Sequence, residues 1–131
     1  MAFPIKHSVA VMIKSEDRIL SIRRPDDDDE LPGIWGLPAG TCRSEETVEQ
    51  VIRRIGREKL GVTLDPVRKV ASGTQDRQAY RLEMDLWEAS MHGKPTGCEW
   101  KWSLVDLLVP GAASGSLCCQ LALKNLKRVG F

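Results

Sequence analysis

The stretch Gly36 to Val62, GLPAGTCRSEETVEQVIRRIGREKLGV, decides how the rest of the chain is read. It opens with Gly36 and Gly40, which allow a positive φ or a close approach of backbone to a ligand. A helix is expected from about Ser44, whose hydroxyl suits an N-cap, with Glu45 and Glu46 at the positive end of its dipole. Gly61 is a suitable C′ residue and ends it. Val48, Val51, Ile52, Ile55 and Lys59 or Leu60 recur at three- and four-residue spacing, a largely apolar stripe that packs on a sheet. Glu46, Gln50, Arg54 and Glu58 form a second row at i, i+4 steps, in which Arg54 can pair with Glu58. Gly56 weakens the helix by about 1 kcal/mol relative to alanine, which points to a close approach of neighbouring backbone or a local irregularity.

Outward from this stretch the pattern is strand-like. Ser8 to Ile13 and Ile19 to Arg23 read as a β-hairpin around polar Lys14 to Arg18, and Pro25 ends the second strand. Asp26 to Glu30 is five acids in a row, a solvated loop by ordinary charge behaviour rather than a metal site. Beyond Pro66, Val67 to Ser72 and Gln78 to Glu88 are expected strands. In the second, Tyr80, Leu82, Met84 and Leu86 alternate with charged residues and face a core. Glu99 to Leu104 is a further strand, Asp106 to Leu108 a short helix stopped by Pro110, and Leu117 to Val129 a terminal amphipathic helix. Trp102 is assigned to the core, whereas Trp35 and Trp100 suit either the core or a stacking platform.

At 131 residues the chain is expected to form one domain. A formal net charge of +1 argues against nucleic acid as a partner. Cys42, Cys98, Cys118 and Cys119 form no CxxC pair and read as free thiols in a reducing compartment. No apolar run approaches the roughly 20 residues that span a bilayer. A cytoplasmic protein that does not bind membranes is expected.

The central stretch resembles the Nudix box, G-x5-E-x7-R-E-U-x-E-E-x-G-U with U a bulky aliphatic, at Gly40, Glu46, Arg54, Glu58, Gly61 and Val62. Ile55, Gly56 and Lys59 depart from it. The hairpin before the box and EWKWSLVDLL after it are also similar to Nudix domains. The resemblance implies an α/β/α sandwich with a mixed sheet, the box helix on one face and the terminal helix on the other. It implies a hydrolase cleaving a nucleoside diphosphate linked to another group, dependent on Mg2+ or Mn2+. The alternative is a Nudix-fold ligand-binding or interaction module without hydrolysis, favoured by Ile55 and Lys59. A small-molecule nucleotide or other diphosphate is the expected partner, and the oligomeric state is left open, a homodimer included.

Carried over residue by residue, Glu58 is the metal-holding glutamate, aided by the Gly40 carbonyl and, as a second choice, Glu46. Arg54 fixes the helix with Glu46, and Gly36 and Gly40 line the substrate. Glu99 is the leading candidate for general base, with Glu83, Asp85 and Glu88 behind it and an exposed loop acid as the plainer reading. Lys59 either touches substrate phosphates or is a solvated lysine. Ile55 is read as core, continuing the stripe of Val48 and Val51.

Overall fold

The structure, a computed structural model, describes residues 4–126. Among these residues eight strands run in order: β1 Ile5–Met12, β2 Lys14–Ser15, β3 Arg18–Arg23, β4 Trp35–Gly36 and β5 Ala39–Thr41, then, after the box helix α1 (Val48–Arg54), β6 Thr63–Asp76, β7 Arg81–His92 and β8 Trp100–Ser103. The short helix α2 (Val109–Ala113) and α3 (Leu117–Leu126) follow. One sheet has the order β5-β1-β7-β6 and is mixed, since β1 and β7 are parallel and the outer pairs antiparallel. The other is built on β3, which pairs with β2, β4 and β8, all antiparallel.

Period-two alternation in β1 sends its side chains to two cores. Val9 and Val11 join Val51, Ile52, Ile55, Leu60 and Leu64 under the box helix. Ala10 and Met12 join Leu82, Met84, Leu86 and the buried face of α3, with Cys118, Cys119 and Leu121. The first sheet is thus sandwiched between α1 and α3, the α/β/α arrangement expected from the sequence. Val51, Ile52 and Ile55 are fully buried.

Several boundaries differ from expectation. The expected hairpin is present only at its tip: β2 turns back on β3 and the Leu20 amide donates to the Ile13 carbonyl, whereas β1 itself pairs in the mixed sheet and β3 in the other. The box helix starts at Val48, not Ser44, because Thr47 is the N-cap and forms a capping box with Gln50. From Ile55 to Leu60 it continues as π-helix, ending at Gly61 with φ 67°. The strand expected after Pro66 begins at Thr63 and passes through the proline at an irregularity in its pairing with β7. An edge strand tolerates this, since proline lacks only a donor. Pro110 lies in the first turn of α2 instead of stopping a helix, a position where its missing N–H is no loss. Trp102 is not core. It sits on β8, which pairs with β3 alone, and leans edge-on against Trp100 with ring centroids 6.4 Å apart. Tyr80 precedes β7 and is partly buried. The C-terminal part of the terminal helix, as expected to Val129, lies outside the described residues.

Gly56 has a physical reason to be glycine. A β-carbon there would lie 2.7 Å from Leu64 Cγ and 2.9 Å from the Val62 carbonyl oxygen. The close approach lets the helix settle on the start of β6, and the Val62 amide donates to the Gly56 carbonyl at 2.9 Å. All four cysteines are free thiols, Cys118 and Cys119 buried behind β4. Among the described residues no helix is long and apolar enough to cross a membrane.

Candidate diphosphate site

The loop before α1 and the end of that helix are joined by one buried guanidinium. Arg54 is 7% exposed. It donates to both Glu46 carboxylate oxygens, at 2.8 and 3.0 Å, and to the Thr41 carbonyl at 2.7 Å. Glu46 also accepts the Arg43 amide at 2.9 Å. The Arg54 hydrogen bonds, and then that amide, pull the Glu46 pKa down to about 2, while Glu46 raises that of Arg54. Both groups therefore stay charged, and β5 is held against the helix. Glu46 has its two oxygens committed to this bridge.

The register fixes which carbonyls face the helix. Cys42 donates to His7 and Val11 to Pro38, so the hydrogen-bonded pairs of this ladder fall on alternate positions, with Val9 and Gly40 between them. The Gly40 carbonyl is thus turned into the ladder toward Val9. Those of Ala39 and Thr41 point out of it, and Thr41 receives Arg54. Ala39 receives the ammonium of Lys59. Gly40 serves packing as well, since a β-carbon on it would come within 3.1 Å of Ile55 Cγ1. Ile55, in the box position of a glutamate, is wholly buried among aliphatics.

Glu58 is half exposed and faces Arg43 at 3.5 Å, Arg54 at 3.9 Å and Arg57 at 4.0 Å. Lys59 beside it has its pKa lowered, by desolvation first and then by the charges of Arg24 and Arg54, with Asp28 and Glu58 acting in the opposite sense. Both line a cavity of about 630 Å³ that also takes in Gly36, Gly40 and Glu99. Glu99 is exposed and lies 3.7 Å from Arg23. Glu83, Asp85 and Glu88 do not line this cavity. Asp85 is engaged with Ser72, Lys69 and His7, and Glu88 with Arg68. Trp35 lies under the Lys101 ammonium, 4.6 Å from its ring centre.

The cavity wall holds residues that the sequence reading did not assign to it. Arg23, Arg24 and Arg77 line it, and each is paired with an acid of the Asp26–Glu30 run. Arg23 meets Asp26 at 2.5 Å, Arg24 meets Asp28 at 3.2 Å, and Arg77 and the Tyr80 hydroxyl both donate to Glu30. Asp28 further accepts the amides of Leu31 and Glu30, the first of which chiefly lowers its pKa. Apart from Asp28 the run is exposed as expected of a charged loop, yet three of its acids are tied to side chains that line the cavity. The signal available in the sequence was Arg23-Arg24-Pro25 directly before five acids: adjacent blocks of opposite charge at the end of a strand.

Chemically, the cavity is lined by three guanidinium groups, the ammonium groups of Lys6 and Lys59, and the carboxylates of Asp28, Glu30, Glu58 and Glu99, of which Asp28 and Glu30 are already engaged by Arg24 and Arg77. Among the described residues no group of three or more His, Cys, Asp or Glu comes together to hold a metal. Glu58 is the box carboxylate that lines the cavity, at the long ion-pair distances from arginine given above. One such ligand fits a magnesium ion that keeps its waters and shares the phosphate oxygens of a bound ligand. It does not fit a resident centre of several ions.

A family model described as NUDIX domain matches residues 4–113. Among solved structures, the solution structure of the E. coli ORF135 protein is similar over 93% of this chain and 91% of its own, with 21% identity and a TM-score of 0.77. A MutT NUDIX hydrolase from Burkholderia pseudomallei is 24% identical, covering 78% of this chain and 84% of its own at a TM-score of 0.68. An ADP-ribose pyrophosphatase from Streptococcus suis is 20% identical, covering 77% and 75% at 0.62. No curated protein matches the sequence.

Proposed function

The chain belongs to the NUDIX domain family, and from that premise we propose that it is a hydrolase that binds a diphosphate-containing small molecule, a nucleotide or a relative of one, and cleaves its pyrophosphate bond. The observation that carries this reading is convergence. Glu58, Lys59 and Glu99 line one cavity with Arg23 and Arg24, beside the loop that contains Gly36 and Gly40. Cationic side chains at the rim suit phosphate oxygens, and the guanidinium fork gives them orientation. Leu37, Leu82, Met84 and Leu117 deeper in the same cavity suit the apolar face of a base or other ring.

In this reading Arg23 and Arg24 exchange their carboxylate partners for phosphate. Arg54 and Glu46 keep the β5 loop in register with the helix and so fix where Glu58 stands relative to the ligand. A divalent ion arriving with the ligand would be held on the protein side by Glu58, and would supply charge screening and activation of water. Glu99 lies within reach of Arg23 and is the group on the cavity edge best placed to accept a proton from that water.

A second reading has its own observation. Ile55 is packed in the core and Lys59 donates to Ala39, so two box carboxylates are replaced by groups that cannot ligate a metal. A domain of this kind would bind the diphosphate without cleaving it. Incubation with nucleoside triphosphates, dinucleotides and nucleotide sugars, with Mg2+ and with Mn2+, separates the two. Product from any of them supports the hydrolase; saturable binding with no product supports the binding module.

A further inference from the structure

The place of the last box glutamate is taken by an exposed residue of opposite charge, held by a hydrogen bond to the backbone. The Lys59 ammonium donates to the Ala39 carbonyl, which the β5 register turns out of its ladder toward the helix. Lys59 lines the same cavity as Arg23 and Arg24. An ammonium and a divalent ion would compete for that carbonyl. Relative to a glutamate, Lys59 also changes the local charge by two units in the direction that repels a metal and attracts a phosphate.

We propose that Lys59, together with Arg24 and Arg23, forms a cationic clamp that binds a diphosphate group in the absence of any divalent metal. The three cations sit on two elements, the end of β3 and the end of the box helix, and the cavity lies between them. Asp26 and Asp28 hold the two guanidinium groups as internal anions until a ligand displaces them. Lysine acts here as a point charge and arginine as an oriented fork, so together they accommodate the several oxygens of a diphosphate.

The inference rests on diphosphate binding in this cavity and is independent of turnover. Its test is calorimetry of the whole protein with inorganic pyrophosphate, once in excess EDTA and once in excess Mg2+. Affinity in EDTA should lie within about threefold of that in Mg2+ or exceed it, and Lys59→Gln should weaken the EDTA affinity by about tenfold, the scale of one charge-assisted contact. Lys59→Arg should retain most of it, and the unfolding temperature of both variants should stay that of the parent. Binding that needs Mg2+, or an EDTA affinity unmoved in Lys59→Gln, overturns the clamp while leaving the diphosphate reading intact. Absence of binding in both conditions overturns the two together. Absence of hydrolysis alongside metal-free binding supports the clamp and removes only the hydrolase reading.

Discussion

Gly56→Ala puts two rules in opposition and so tests the packing of the box helix directly. Helix propensity alone favours alanine by about 1 kcal/mol. Against this, the new β-carbon would lie 2.7 Å from Leu64 Cγ and 2.9 Å from the Val62 oxygen. Ordinary carbon contacts lie at roughly 3.5–4.0 Å, so the helix or the start of β6 must move by about 1 Å. Leu64 is fully buried and Val62 offers backbone, so neither gives way as a flexible side-chain tip would. Overpacking of this kind costs about 1–3 kcal/mol, which leaves a net loss of about 1 kcal/mol after the propensity gain. For a domain of this size that lowers the thermal midpoint by about 4 °C. Thermal and urea unfolding followed by circular dichroism measure it. The same shift carries Glu58 and Lys59 away from the cavity, so pyrophosphate affinity should fall alongside stability. A midpoint equal to or above the parent's would refute the reasoning, because it would mean that the approach of Leu64 does not dictate glycine.

Glu58→Gln keeps shape and hydrogen bonding but removes the anion; if the protein is a hydrolase that uses a substrate-borne ion at this residue, turnover falls by about 100-fold or more, roughly 3 kcal/mol of transition-state stabilisation, with the unfolding midpoint nearly unchanged. Equal turnover in the variant assigns the ion elsewhere. Glu46 has a folded pKa of about 2 against an ordinary 4.5, so its pairing contributes stability that is fully present above about pH 4.5 and is lost as the pH falls toward 2. Urea midpoints across that range should decline in the parent and decline less in Glu46→Gln; parallel curves would exclude this carboxylate as a source of the acid sensitivity. Asp26→Asn frees Arg23 from an exposed internal anion, and pyrophosphate affinity at low salt should rise by about two- to fivefold, the range of a surface ion pair. An unchanged affinity would show that Arg23 does not meet the ligand.

The sandwich, the box helix and its stop at Gly61 were readable in the sequence because each rests on local chemistry. The stripe of Val51, Ile52 and Ile55 has one buried face whatever it packs on, and Gly61 adopts the left-handed conformation that its residue type favours. The pairing of Glu46 with Arg54 was carried by family resemblance. Its strength was not, since it depends on the Thr41 carbonyl brought in by β5. Local competition displaced the helix start from Ser44 to Thr47, where Gln50 completes a capping box three residues on.

Contacts between distant segments were decided by tertiary structure alone. Sequence could say that Ile55 was apolar and Lys59 basic; it could not say that Gly40 would press on Ile55, or that Lys59 would reach Ala39, 20 residues back in the chain. The acidic run looked like a solvated loop because adjacent like charges repel. Folding brings Arg77 and Tyr80 from the β6–β7 turn against Glu30, and opposite charge from another part of the chain then fixes what local repulsion would leave loose. Trp102 shows the converse, an aromatic that its residue type places inside and that an edge strand leaves in contact with water. Burial and charge pairing are properties of neighbours in space, and a linear pattern reports them only where those neighbours are also close in the chain.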